Sequence, residues 1–197
     1  MSRVRVRLLD YGAGNLRSVQ RALERAGAEV DVSADVGGEK LVVPGVGAFA
    51  DARRRLSPVW NDLLAWVHAD KPTLGICLGM QLLHARSHEH GVHEGLGVID
   101  GDVVFMKNAE ISSTTTPLSS LTIPNMGWHR LQGEGDISVY FAHSYGSRPG
   151  PYTTAVIDHG GPWSAVVRKG NVSGFQFHPE KSGDDGIALL RDWVVGK

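Results

Sequence analysis

The sequence predicts an α/β fold of three layers, a mainly parallel open sheet with helices on both faces, joined by an antiparallel strand section in the C-terminal half. Three observations lead there. Short apolar runs alternate with helix-period segments through the first half, the pattern of strand, crossover helix and parallel strand. The second half changes to short strands divided by Gly/Pro turns. The chain has 197 residues, 42% hydrophobic and 21% charged, which suits one core of ordinary size, so residues 1–197 are read as a single domain.

Val4 to Leu9 reads as the first strand, and Asn15 to Ala26 as a helix with Leu16, Val19, Leu23 and Ala26 on one face, ended by Gly27. Glu29 to Val32 is a second strand, and Lys40 to Val43 a third, stopped by Pro44-Gly45. Trp60, Leu63, Leu64 and Val67 mark a helix that Lys71-Pro72 breaks. The strand Thr73 to Ile76 then runs into a helix holding Gln81, Leu82 and Leu83. Further on, Val98 to Phe105 is extended, and Asn108 to Pro124 is a Ser/Thr-rich connection expected to be mobile. Ser138 to Ala142, Tyr152 to Asp158, Trp163 to Arg168 and Val172 to Phe177 form the antiparallel pattern, and a helix from about Gly183 to Val195 closes the chain.

Charge excludes two partner classes. With 20 basic and 21 acidic residues the formal net charge is -1, which offers no electrostatic footprint for nucleic acid or an anionic membrane. No stretch approaches the apolar length of a membrane span, and Met1 to Asp10 lacks the apolar run of a signal peptide. The single cysteine, Cys77, rules out an internal disulfide and agrees with a cytoplasmic location.

That thiol lies in Gly75-Ile76-Cys77-Leu78-Gly79, a G-x-C-x-G segment at a strand-to-helix junction. A nucleophile there stands on a tight, exposed turn whose crowding the flanking glycines relieve. A helix N-terminus favours the thiolate and leaves backbone N–H groups free, and that of Leu78 is placed to be an oxyanion donor. Gln81, four residues on, shares the helical face and can meet a bound substrate. Taken alone, the segment also fits a buried structural cysteine. Partners appear in Phe175-Gln176-Phe177-His178-Pro179-Glu180. His178 can take the thiol proton and Glu180 can orient the imidazole, with Pro179 stiffening the turn. Without the cysteine these residues read as a surface turn; cysteine, histidine and carboxylate together read as a triad. Pro44-Gly45-Val46-Gly47, at the carboxyl end of a predicted parallel strand, could bring the N–H of Val46 or a neighbour close as a second oxyanion donor.

Gly-Ile-Cys-Leu-Gly-Met-Gln at 75 to 81 and Phe-His-Pro-Glu at 177 to 180 resemble the two signatures of the class I (triad-type) glutamine amidotransferases. Further motifs resemble the glutaminase subunits, HisH type, of imidazole glycerol phosphate synthase. They are Asp10-Tyr11-Gly12-Ala13-Gly14-Asn15-Leu16 with Ser18, Pro44 to Gly47, Met126-Gly127-Trp128, His143-Ser144-Tyr145 and Gln176 to Ser182, spread over nearly the whole chain. The resemblance implies hydrolysis of L-glutamine through a Cys77 thioester, with His178 and Glu180 completing the triad. It also implies glutamine contacts from Gly47, Gln81, Glu89, His143, Ser144 and Tyr145, Glu89 serving the α-amino group. The ammonia would pass to a separate (β/α)₈ cyclase subunit of a heterodimer in histidine biosynthesis. The same chemistry could instead serve anthranilate, GMP or pyridoxal phosphate synthesis, although the Pro44 to Gly47 and Asp10 to Asn15 motifs favour histidine. A catalytically silent binding subunit would be expected to lack a member of the triad, and none is replaced. The family commonly has His-Met-Gly-Trp-Asn where this chain has Asn125-Met126-Gly127-Trp128-His129.

Other features carry less. Gly12-Ala13-Gly14 fails the dinucleotide pattern, because Arg17 stands where a third glycine is needed. His84, His88, His90 and His93 are dense, but Val92 breaks the His-Glu-x-x-His pattern and no thiolate is near, so they are read as a solvated helix end and loop. Neither metal nor cofactor is expected. Trp60, Trp66 and Trp193 read as packing residues, Trp128 as an exposed contact in a loop, and Arg53-Arg54-Arg55 as a solvated face. Ser112 to Thr116 carries no known motif.

Overall fold

Val6, Leu8 and Val42 alternate along their strands with Leu9, Leu41 and Val43, so those two strands offer apolar side chains to both faces of one sheet, while Leu74 and Ile76 serve one face. The computed structural model, which describes residues 3–106, 122–135 and 137–196, shows what covers those faces. The first half comprises β1 (Arg5–Leu9), α1 (Leu16–Arg25), β2 (Glu29–Ser33), β3 (Lys40–Val43), α2 (Phe49–Arg55), α3 (Trp60–His68), β4 (Thr73–Ile76) and α4 (Leu78–Leu83). The second comprises β5 (His84–Ser87), β6 (His93–Glu94), β7 (Ile99–Phe105), β8 (Asn125–Arg130), β9 (Ser138–His143), β10 (Tyr145–Ser147), β11 (Thr153–Asp158), β12 (Pro162–Lys169), β13 (Val172–Phe175) and α5 (Gly183–Val195). Helices α1 and α5 cover one face through Val19, Leu23, Ile187 and Leu190; α2, α3 and α4 cover the other through Phe49, Leu63, Val67 and Leu82. This is the predicted three-layer fold.

The main sheet runs β2-β1-β3-β4-β13-β12-β11. Neighbours from β2 to β13 are parallel, and β12 and β11 continue antiparallel at one edge. Thus β13, expected among the antiparallel strands, is parallel to β4, with Val172 opposite Thr73 and Phe175 opposite Ile76. A second sheet has the order β10-β7-β5-β6, and β8 pairs with β9 alone. Trp128 therefore stands on a strand rather than in a loop. The Ser112 to Thr116 segment, and most of the Asn108 to Pro124 connection, lie outside the described residues. Among the described residues no helix is long and apolar enough to cross a membrane.

Two local departures have tertiary causes. Helix α2 has no side-chain cap of its own at Ala48; instead Glu89 Oε2 accepts from the Phe49 N–H at 2.6 Å. Helix α4 stops after six residues because the carbonyls of Leu82, Leu83 and His84 are taken by the N–H groups of Leu96, Val98 and Gly97, at 2.7, 3.0 and 3.1 Å. His84 accordingly leaves the helix for β5 and is buried, and its burial pushes the imidazole pKa down to about 4.

Candidate active site

Parallel α/β sheets bind ligands beyond the carboxyl ends of their strands. Here three adjacent strands deliver the predicted site from those ends: β3 leads into Pro44–Gly47, β4 into Cys77, and β13 into Gln176–Glu180. Cys77 takes φ 53 and ψ -108, a conformation costing about 1–3 kcal/mol for a residue with a side chain. The glycines on either side explain how the turn closes. A Cβ on Gly75 would lie 2.5 Å from the Gly79 carbonyl, and one on Gly79 would fall on the Val43 carbonyl oxygen, far inside van der Waals contact. The Cys77 N–H donates to Phe175 O at 2.7 Å, fastening the elbow to β13.

After β13 the chain stays extended, and side chains alternate. Phe175 and Phe177 stack in the core at 5.0 Å between centroids, with Phe141 edge-on to Phe177 at 5.8 Å. Gln176 and His178, between and after them, turn their polar ends toward Cys77. The His178 backbone is pinned at both ends: its N–H donates to Tyr140 O at 2.9 Å, and its carbonyl accepts from Ser182 Oγ at 2.6 Å. Its ring Nδ1 meets Glu180 Oε1 at 2.9 Å, with both side chains buried. A carboxylate accepts only, so Nδ1 carries the proton toward Glu180 and Nε2 is left free of it. Burial alone would discharge this imidazole, but hydrogen bonds and charge from Cys77 and Glu180 outweigh it and raise the pKa to about 9.

These groups open into a cavity of about 450 Å³. Every predicted residue except Glu180 lines it: Val46, Gly47, Cys77, Leu78, Gln81, Glu89, His143, Ser144, Tyr145 and His178. Glu180 stands behind His178, as an orienting carboxylate must. Two of the predicted contacts have a second task. Glu89 caps α2 with one oxygen, and so ties its loop to the helix that follows the Pro44–Gly47 turn. His143 has both ring nitrogens engaged inside the protein: Nδ1–H donates to Tyr145 O at 2.7 Å, and Nε2 accepts from Asn125 Nδ2 at 3.2 Å. Burial pushes its pKa down to about 4, so this imidazole is neutral. His129 Nε2–H in turn donates to Asn125 Oδ1 at 2.7 Å, so Asn125 and His129, exchanged relative to the common family motif, are bonded to each other.

Three polar residues in or behind the site were missed in the sequence, besides the apolar lining from Phe105, Pro124, Met126 and Ala142. Gln176 donates to Cys77 Sγ at 3.8 Å. Tyr11 donates its hydroxyl to Pro44 O at 2.7 Å, clamping the Pro44–Gly47 turn, and burial raises its phenol pKa. His90, from the dense histidine run, lines the cavity, whereas His88 bonds Asp102 at 2.7 Å and His93 stacks on Phe49. Gln176 alone carried a signal, since a polar side chain within an apolar strand must find a partner. Among the described residues no three potential metal ligands converge.

Comparison with known proteins agrees with this geometry. The family model for Glutamine amidotransferase class-I matches residues 7–196. The chain is 41% identical to imidazole glycerol phosphate synthase subunit HisH of Rhodopirellula baltica, covering 96% of this chain and 97% of that protein. It is 40% identical to the subunit HisH of Methanosarcina barkeri, covering 96% and 98%. A crystal structure of a glutamine amidotransferase superposes with TM-score 0.73 at 20% identity, covering 98% of this chain and 99% of that one, and so shares the fold. The chain belongs to the class-I glutamine amidotransferase family, and within it to the family of imidazole glycerol phosphate synthase subunit HisH.

Proposed function

We propose that the chain is the glutaminase subunit of an imidazole glycerol phosphate synthase, a single glutaminase domain acting in the cytoplasm as a heterodimer with a (β/α)₈ cyclase. The observation that carries this is the sole thiol, on a strained elbow in a cavity, beside an imidazole that it helps to keep charged. The Cys77 thiolate attacks the side-chain carbonyl carbon of L-glutamine, and the Leu78 and Val46 N–H groups receive the oxyanion. His178, as imidazolium, protonates the leaving nitrogen; the C–N bond breaks, ammonia departs and a thioester remains. Neutral His178 then takes a proton from water, whose oxygen attacks the thioester, and glutamate leaves as the thiol is restored. Glu180 holds the imidazole in the tautomer that both steps need. Gln81, Glu89, Gly47 and the His143–Tyr145 segment hold the amino-acid end of the substrate, with Glu89 facing its α-amino group.

The mouth of the cavity supports a partner there. Met126, Trp128 and Val46 are 63%, 58% and 47% exposed, and Met126 and Val46 also line the cavity. The curated relatives are synthase subunits by name, which supports histidine biosynthesis over other acceptors. The test is to copurify the chain with a candidate cyclase and assay glutamine-dependent formation of imidazole glycerol phosphate. Cys77→Ala is expected to abolish glutamate release with the fold intact, and the wild-type chain alone to be a poor glutaminase that the nucleotide-loaded cyclase stimulates. Glutamate release persisting in Cys77→Ala would overturn the chemistry; full activity of the lone chain, unchanged by the cyclase, would overturn the coupling.

A further inference from the structure

Resting on the reading of Cys77 as nucleophile, we propose that Gln176 is a further catalytic residue: its side-chain amide donates to the Cys77 sulfur and, held from behind by Gln81, keeps it an oriented thiolate. Gln176 is 1% exposed, so both ends of its amide need partners. Its backbone is fixed by donation from its N–H to Ala165 O at 2.9 Å. Its side-chain Oε1 accepts from Gln81 Nε2 at 3.2 Å, and its Nε2 lies 3.8 Å from Cys77 Sγ.

The orientation of this chain of amides is dictated from outside it. Gln81 Nε2 also meets the backbone carbonyl of Tyr145 at 2.8 Å, and a carbonyl oxygen can only accept. Gln81 must therefore present its NH₂ to both Tyr145 O and Gln176. Gln176 must then present its oxygen to Gln81, which leaves its own NH₂ aimed at the sulfur. Reversing either amide would set oxygen against oxygen or donor against donor. Neutral His143, donating to the same Tyr145 carbonyl, holds that acceptor in place. The sulfur thus has the Gln176 amide as a donor, with the His178 imidazole also acting on it, and an N–H donor is strengthened when its acceptor is ionised. The same arrangement links a cavity-lining residue, Gln81, to the nucleophile in two hydrogen bonds.

Because Cys77 is the only cysteine, its alkylation by iodoacetamide reads this one sulfur without glutamine turnover or a cyclase. The rate is measured against pH for wild type, for Gln176→Met, which removes the donor at similar length, and for Gln176→Glu, which keeps the acceptor for Gln81 but sets a carboxylate against the sulfur. Loss of one charge-assisted donor is expected to slow alkylation near neutral pH by about tenfold in Gln176→Met, and further in Gln176→Glu. Both should recover toward the wild-type rate as the pH rises past about 8.5, where an ordinary thiol ionises. A role confined to packing would not give this rescue. Gln81→Met, which frees the Gln176 amide without altering it, is expected to fall between, and it carries the test if either Gln176 variant fails to fold by circular dichroism. Wild-type rates and pH profiles in the folded variants would overturn the proposal, even if glutaminase activity were lost. A wild-type Cys77 no more reactive than a free thiol would instead overturn the nucleophile reading beneath it.

Discussion

Replacing Cys77 by alanine is expected to change the titration of His178, because the thiol is one of the two groups that hold its imidazole charged. In the wild type the pKa stands at about 9 although burial pulls it down; hydrogen bonds and charge from Cys77 and Glu180 do the raising. Alanine removes the Cys77 share and leaves burial in place. The pKa should then fall by at least about one unit, or about 1.4 kcal/mol of differential interaction. The consequence for stability has a definite sign. A histidine whose folded pKa exceeds its unfolded value near 6.5 stabilises the fold fully below that value and loses the contribution as pH rises through about 9. The difference between those values corresponds to about 3 kcal/mol at about 1.36 kcal/mol per unit. Wild type should therefore lose stability between pH 6.5 and 9, and Cys77→Ala should lose less, over a window ending lower. The assay is ring-nitrogen NMR of labelled histidine across this range, with urea unfolding at each end. The chain has nine histidines, so the His178 signal is assigned by its absence in His178→Gln. A His178 that still titrates at about 9 in Cys77→Ala would refute the argument, leaving Glu180 alone as the cause.

Gly79→Ala should drive a methyl onto the Val43 carbonyl and cost about 1–3 kcal/mol or more, read by chemical denaturation; a variant of wild-type stability would show that the elbow tolerates side chains. Tyr11→Phe leaves the buried Pro44 carbonyl without its donor, at about 1–3 kcal/mol of stability, and should lower kcat more than KM if the turn it clamps presents the oxyanion donor; steady-state kinetics with the cyclase present separate the two. Trp128→Ala removes an exposed aromatic beside the cavity mouth and should weaken cyclase binding by about 2 kcal/mol, roughly thirtyfold in Kd, while leaving thermal stability near wild type; calorimetric titration measures the first and a melting curve the second.

Elements whose cause is local were legible in the sequence. The runs that became β3 and β4 are stopped by Pro44 and by the elbow, and α5 ends at Gly196 in a left-handed turn, so their bounds could be read directly. Elements whose cause is distant were not. Helix α2 carries three consecutive arginines and lacks a local cap; it exists because a carboxylate forty residues away, Glu89, receives its first N–H. The apolar pattern of α4 gives no reason to stop at Leu83, because the stop comes from Leu96, Gly97 and Val98 occupying its last carbonyls. Nor can spacing reveal the direction of β13, since its partner β4 is separated from it by most of the second half of the chain.

The site divides along the same line. The meeting of Cys77, His178 and Glu180 in one place was legible because the reading of them as a triad asks for particular side chains at particular kinds of turn, and such requirements leave a mark in sequence. Tyr11 and the second tasks of His143 and Glu89 act on backbone carbonyls and N–H groups, which no motif records, and Gln176 acts on a sulfur and a side-chain amide that only the fold brings to it. The Tyr145 carbonyl shows why this matters. It accepts from both Gln81 and His143, fixes which way two buried amides face, and so decides that a donor rather than an acceptor reaches the sulfur. Nothing about the tyrosine side chain determines that; the constraint is the strand geometry that brings residue 145 opposite Phe105 in β7 and beside the cavity. The proposed nucleophile is specified by its codon, but the hydrogen bonds that would hold it ionised are specified by the fold.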